Sequence, residues 1–177
     1  QSREVAPGDL LVCDAERAVA VAGVMGAANS EIRDTTTRVL IEIANFDPSR
    51  VRRTKSKLKL YTESSFRFER GVDVVAIPEV MQRTVELICA TQAEFGHTCR
   101  VIEGIIDTYP RPYEAPKVSM PADMAARVLG TEVSGETARA ILERLGVPAT
   151  LDGSTLTAEV PAFRPDLERP IDLVEEI

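Results

Sequence analysis

The stretch Tyr109-Pro110-Arg111-Pro112-Tyr113-Glu114-Ala115-Pro116 constrains this chain more than any other. Three prolines in seven positions remove backbone donors and fix φ, so helix is forbidden there and a stiff, extended spacer is expected. The 177 residues therefore divide into 1–110, a linker over 111–116, and 117–177. Together they are long enough to bury real cores, and at 44% hydrophobic residues the chain is not a disordered one. No apolar run approaches the roughly 20 residues that a membrane-spanning helix needs. The three cysteines, Cys13, Cys89 and Cys99, are odd in number and widely spaced, which argues against a disulfide framework or a Cys-x2-Cys zinc site. A histidine-based catalytic or zinc site would have to use the single His97.

The first part alternates strand and helix signals. LLVCD (10–14), AVAVAGVMG (18–26), RVLIEIANF (38–46) and CRVIEGIIDTY (99–109) read as strands, the third as a buried one. Asp47-Pro48 opens a helix, with Asp47 as N-cap and Pro48 at N1. A short helix is expected over Thr62–Arg70, closed by Gly71, and an amphipathic one over Pro78–Thr91. In the second part, a helix around Met124–Leu129 ends at Gly130. Ser134 caps another helix, which ends at Gly146. Asp152-Gly153 makes a hairpin turn, and RPIDLVEEI starts a last helix. The fold class expected is α+β: a mixed sheet with packed helices, followed by a small winged-helix-like α/β domain. A start without Met and an end inside a helix read as a piece cut from a longer chain.

The net charge of −7 is unevenly distributed. Residues 50–70 carry eight Lys and Arg against Glu63 and Glu69, a window of +6, which leaves −13 for the remainder. On charge alone this window reads equally as an anion-facing surface, with Arg52, Arg53 and Lys55 as RNA contacts, or as a solvated helix face.

The segments Glu42-Ile-Ala-Asn-Phe-Asp-Pro48, Arg52-Arg53-Thr54 and Thr62-Glu-Ser-Ser-Phe-Arg-Phe-Glu-Arg-Gly-Val-Asp73 occur in one order with Ala22-Gly-Val-Met-Gly26 and Asp172-Leu-Val-Glu-Glu176. Together they resemble the β-subunit family of bacterial phenylalanine–tRNA ligase, over essentially the whole chain. The resemblance implies that residues 1–110 are the C-terminal part of a tRNA-editing domain, which hydrolyses tyrosine wrongly attached to tRNA(Phe). It implies a cytoplasmic enzyme of two α and two β subunits that charges tRNA(Phe) with phenylalanine using ATP, with no membrane partner. The alternative is a non-catalytic RNA-binding or subunit-packing module.

In that family, Glu42 matches the acceptor for the tyrosine hydroxyl. A phenylalanine ester would leave such a carboxylate unpaired, which favours the wrong product as substrate. From the residues alone, Glu42 could equally pair with an arginine or face solvent. Gly23 matches a backbone position of close approach to the aminoacyl group, and it could also be a strand-packing glycine. Thr62 matches a polar position beside the scissile ester and also has the spacing of a helix N-cap, with Ser64 in a secondary role. No activated nucleophile is visible, so attack by water is expected, with positioning and oxyanion stabilisation supplying the catalysis. The family's usual final Gly of the Gly-Val-Met-Gly-Gly motif is Ala27 here, and the Arg and His it uses from the first half of the domain have no counterpart in this chain.

Asp166, Asp172, Glu175 and Glu176 match positions that the family associates with Mg²⁺ shared with the α subunit. Their spacing also suits a helix N-terminus enriched in acids, with Arg164 and Arg169 as partners.

Overall fold

A computed structural model describes residues 2–177. The chain forms two compact units, Gln1–Ile106 and Asp107–Ile177. The architecture is α+β, and both sheets are antiparallel, where a mixed sheet was expected in the first part. In the first part short connections explain this: a parallel pair needs a long crossover, whereas the three strands there follow one another through tight turns.

In the first unit, β1 (Leu11–Cys13), β2 (Ala18–Val21) and β3 (Met25–Gly26) form a meander in the order β1-β2-β3. The β1–β2 turn is set by Asp14, whose carboxylate accepts the Glu16 and Arg17 N–H groups, each at 2.8 Å. These bonds hold its pKa below the ordinary aspartate value. The β2–β3 turn closes with Val24 N–H donating to Val21 C=O at 2.9 Å.

Three helices follow: α1 (Pro48–Leu58), α2 (Glu63–Phe68) and α3 (Ile77–Glu94). Asp47 caps α1 as expected, accepting the Arg50 N–H at 2.8 Å. α1 ends at Lys59, whose φ of 53° makes it the non-glycine residue in the left-handed region among the described residues. α2 ends at Phe68, before the expected Arg70, and α3 runs on to Glu94, three residues past the expected Thr91. The core is small: Ala22, Val24, Val51 and Leu58 are buried together with the polar Thr54 and Ser65.

The runs 38–46 and 99–109 are not strands. Each has strand-forming side chains, but a strand exists only through a ladder, and among the described residues neither run pairs with a neighbour. Leu40 is 96% exposed and Ile106 98%, so these two apolar side chains are uncovered. The sequence pattern reports what these runs can pair with, not a pairing made within this chain.

In the second unit, β4 (Lys117–Pro121), β5 (Ala149–Asp152) and β6 (Thr155–Glu159) lie in the order β4-β6-β5. α4 (Met124–Leu129), α5 (Gly135–Arg144) and α6 (Pro170–Glu176) accompany them. β4 alternates exposed and buried residues, placing Val118 and Met120 inward. The Asp152-Gly153 turn joins β5 to β6 with Asp152 opposite Thr155. Ser134 caps α5 by accepting the Thr137 N–H at 3.1 Å. The core joins Val118, Met120, Leu142, Val147, Leu156 and Leu173, each nearly or wholly buried. Among the described residues no helix is long and apolar enough to cross a membrane.

Candidate functional site

The turn between β2 and β3 and the start of α2 are built against each other. Thr62 is the N-cap of α2. Its hydroxyl accepts the Ser65 N–H at 3.0 Å, and the Ser65 hydroxyl accepts the Thr62 N–H at 3.0 Å, a reciprocal capping box. The same Thr62 hydroxyl donates to Val24 C=O at 2.7 Å, and the Ser64 hydroxyl donates to Gly23 C=O at 3.1 Å. Two adjacent carbonyls of the turn thus receive two hydroxyls from α2. Of the two readings of Thr62, the helix N-cap is the one seen here, and the same hydroxyl also fastens the helix to the turn.

Gly23 is buried at the centre of this arrangement, with φ +67°. A Cβ placed on it would lie 2.9 Å from Val51 Cγ2, 3.2 Å from Phe46 Cδ2 and 3.2 Å from Phe68 Cβ. The space beside its Cα is filled by this chain's own side chains, so close packing is the role visible at Gly23. Phe46 and Phe68 stack obliquely over it, with ring centroids 5.1 Å apart.

The structure brings Gly23, Thr62 and Ser64 together. Glu42 is joined to them only through its own segment, four residues before Phe46. Its side chain is exposed, and its carboxylate makes no hydrogen bond or ion pair among the described residues. Of the two alternatives open from sequence, an arginine partner or solvent, the structure places Glu42 in solvent.

Most cations of the basic window have an acidic neighbour, but several share one carboxylate, so the window stays strongly positive. Glu69, whose side chain is 9% exposed, pairs with Lys55, with Arg70 at 2.8 Å and with Arg52 at 3.9 Å. The Arg52 guanidinium also donates to Glu69 C=O at 3.0 Å. The Lys55 hydrogen bond, joined by the Arg70 bond, holds the Glu69 carboxyl below the usual range against the opposing effect of burial. Lys57 pairs with Asp9 at 2.5 Å, tying the N-terminal segment onto α1. Of the three expected RNA contacts, Lys55 is therefore 13% exposed and committed, Arg52 is paired but exposed, and Arg53 is exposed without a partner among the described residues. Nothing in the spacing of Glu69 marked it as a hub.

The acidic residues near the C-terminus are distributed between two arginines. Arg164 donates to both oxygens of Glu176, at 2.6 and 3.0 Å, and to Asp166 at 2.6 and 3.0 Å. These bonds hold both carboxyls below their ordinary pKa and raise that of Arg164. Asp172 accepts the N–H groups of Arg169 at 2.7 Å and Glu168 at 3.1 Å and pairs with the Arg169 guanidinium at 3.1 Å. Glu175 is exposed. A hard divalent ion needs several oxygens free and converging. Among the described residues no three His, Cys, Asp or Glu side chains group in that way. In this chain taken by itself, Arg164 holds Asp166 and Glu176 and Arg169 holds Asp172, so three of the four carboxylates already have a cationic partner and Glu175 alone of the four has none among the described residues.

Two family models match this chain. The B3/4 domain model covers residues 1–92, and the tRNA synthetase B5 domain model covers residues 118–177. The chain belongs to the B3/4 domain family. A phenylalanine–tRNA ligase β subunit of Geobacter sulfurreducens is 44% identical over 178 residues, covering 100% of this chain and 22% of that protein. The same-named subunit of Salinibacter ruber is 42% identical over 177 residues, covering 100% of this chain and 21% of it. That of Mycolicibacterium paratuberculosis is 37% identical over 179 residues, covering 99% and 21%. The chain thus spans about a fifth of the length of the relatives it matches. The Gly23–Thr62–Ser64 arrangement lies inside the B3/4 match, and the arginine-paired carboxylates lie inside the B5 match.

Proposed function

We propose that this chain is the part of a phenylalanine–tRNA ligase β subunit that carries the site hydrolysing Tyr-tRNA(Phe). In the complete enzyme, an α subunit partners it in a cytoplasmic tetramer of two α and two β subunits that charges tRNA(Phe) with phenylalanine at the expense of ATP. What supports the proposal is the B3/4 match over residues 1–92, the stretch that holds Glu42, Gly23, Thr62 and Ser64, together with the 37–44% identity of the whole chain to phenylalanine–tRNA ligase β subunits. A carboxylate with open acceptor positions can take the hydrogen bond of a phenol, and phenylalanine offers none.

In the reaction, water adds to the ester carbonyl and the acyl C–O bond breaks, leaving tyrosine and the tRNA's terminal hydroxyl. Thr62 Oγ1 donates one bond and accepts one, which leaves a second lone pair. That lone pair accepts a hydrogen bond from the attacking water or from the substrate's amino group and so orients it. Glu42→Ala in the assembled ligase tests this. Hydrolysis of Tyr-tRNA(Phe) is expected to fall about tenfold or more, the cost of a lost hydrogen bond to a charged group, while phenylalanine charging stays near normal. Unchanged hydrolysis of Tyr-tRNA(Phe) would refute the assignment and leave the reading of a packing or RNA-binding module. The uncovered apolar residues Leu40 and Ile106 support that second reading.

A further inference from the structure

Around the start of α2, two exposed aromatic rings are linked through a continuous chain of charges. Tyr61, immediately before the cap, is 71% exposed and has Lys55 Nζ 5.5 Å from its ring centroid. Phe66, in α2, is 53% exposed and has the Arg70 guanidinium 3.7 Å from its centroid. Lys55 and Arg70 both pair with Glu69, so the contacts run from ring to cation to carboxylate to cation to ring. With Arg52 also on Glu69, three cations meet one carboxylate and the patch keeps a net positive charge. Arg52 and Arg70 are 65% and 56% exposed at their side chains, open to a further anion.

From this we infer that Tyr61 and Phe66 are stacking platforms for unpaired bases, and that Arg52 and Arg70 meet the phosphates between them. The occupant is a single-stranded RNA end. Every base has a π face, and stacking on exposed aromatics beside cations is how unpaired strands are held without sequence choice. An apolar protein partner would have to bury the same cations and pay their desolvation, whereas a polyanion satisfies them. Tyr61 immediately precedes Thr62, and Phe66 lies one turn along the helix that Thr62 caps, so an RNA end stacked on these rings is held next to the segment that carries Thr62 and Ser64. The inference rests on the editing reading for the identity of the RNA, but its test uses uncharged RNA and no hydrolysis, so the two can fail separately.

The test is binding of the 177-residue chain to a fluorescently labelled, uncharged single-stranded RNA with the tRNA 3′ sequence CCA, followed by anisotropy across a salt series. Tyr61→Ala and Phe66→Ala are each expected to weaken binding about five- to 150-fold, the range for one stacked base. The salt slope should not change, because no phosphate contact is lost. Tyr61→Phe, which keeps the ring, should bind like the parent. Both rings are exposed, so their truncation spares the core, and unchanged circular dichroism verifies this. The inference is overturned if the alanine variants bind as tightly as the parent, if the parent does not bind at low salt, or if an RNA duplex competes as well as the single strand.

Discussion

Gly23→Ala is the sharpest perturbation the first unit offers. At φ +67° an alanine pays about 1–2 kcal/mol for the left-handed conformation. Its methyl would lie 2.9 Å from Val51 Cγ2 and 3.2 Å from Phe46 and Phe68 atoms. Val51 is 1% exposed and cannot swing into solvent, so the neighbours must shift, an overpacking cost of about 1–3 kcal/mol. The stiffer unfolded chain returns about 0.4–1 kcal/mol. The net destabilisation is about 1–5 kcal/mol. Urea unfolding followed by hydrogen exchange measures it, because exchange reads the first unit's amides apart from the second's. Protection should fall at Ser65, whose N–H is held by the Thr62 hydroxyl that also reaches Val24. Val51→Ala removes the nearest obstructing carbon. The double variant should therefore be about 1 kcal/mol more stable than the sum of the singles, since the steric part is relieved and the backbone part is not. A Gly23→Ala chain within about 0.5 kcal/mol of the parent, or strict additivity with Val51→Ala, would refute the packing argument.

In the second unit, Leu142 is wholly buried, and Leu142→Ala should cost about 2–5 kcal/mol by transfer and cavity terms, read as a lower urea midpoint for that unit's amides. Asp166 and Glu176 have depressed folded-state pKa values, so the stability they contribute is present above the ordinary carboxylate range and lost as pH falls through their folded values. The stability difference between the parent and Arg164→Met should accordingly be largest near neutral pH and shrink on acidification. A difference that is flat from pH 7 to about pH 3 would show that the arginine contributes by packing alone.

Local signals were the legible part of this fold. Asp47, Ser134 and the Asp152-Gly153 turn act through bonds to residues two or three positions away, so a short window of sequence contains the whole interaction. The runs 38–46 and 99–109 failed for the converse reason: their residue types favour a ladder, but the ladder needs a second strand that no local pattern specifies. The candidate site divides in the same way. Thr62 and Ser64 were visible as a cap and its neighbour, but that both hydroxyls close onto the Gly23 and Val24 carbonyls depends on a contact about forty positions away in sequence. The carboxylates near the C-terminus were read as a ligand set through the family resemblance, while their spacing shows only which acids share a helix face. It does not show that Arg164, 12 residues before Glu176, folds back between two of them.

Charge counting is where the structure alters the argument most. Of the eight cations between residues 50 and 70, Arg52, Lys55 and Arg70 meet Glu69, Lys57 meets Asp9 and Arg67 meets Glu63. Arg50, Arg53 and Lys59 keep no side-chain partner among the described residues. The formal +6 already counts Glu63 and Glu69, so among these partners only Asp9 lowers it further, and pairing does not remove a cation from reach of phosphate. Glu69 is buried and keeps Lys55 as a partner, so the exposed head groups of Arg52 and Arg70 can turn part of their contact toward a phosphate without leaving that carboxylate uncompensated. Lys55, 13% exposed, cannot do so. What distinguishes an RNA-facing cation from a structural one in this window is therefore the exposure of its head group beside an open ring, and by that criterion Arg70, next to Phe66, is a stronger candidate than Lys55.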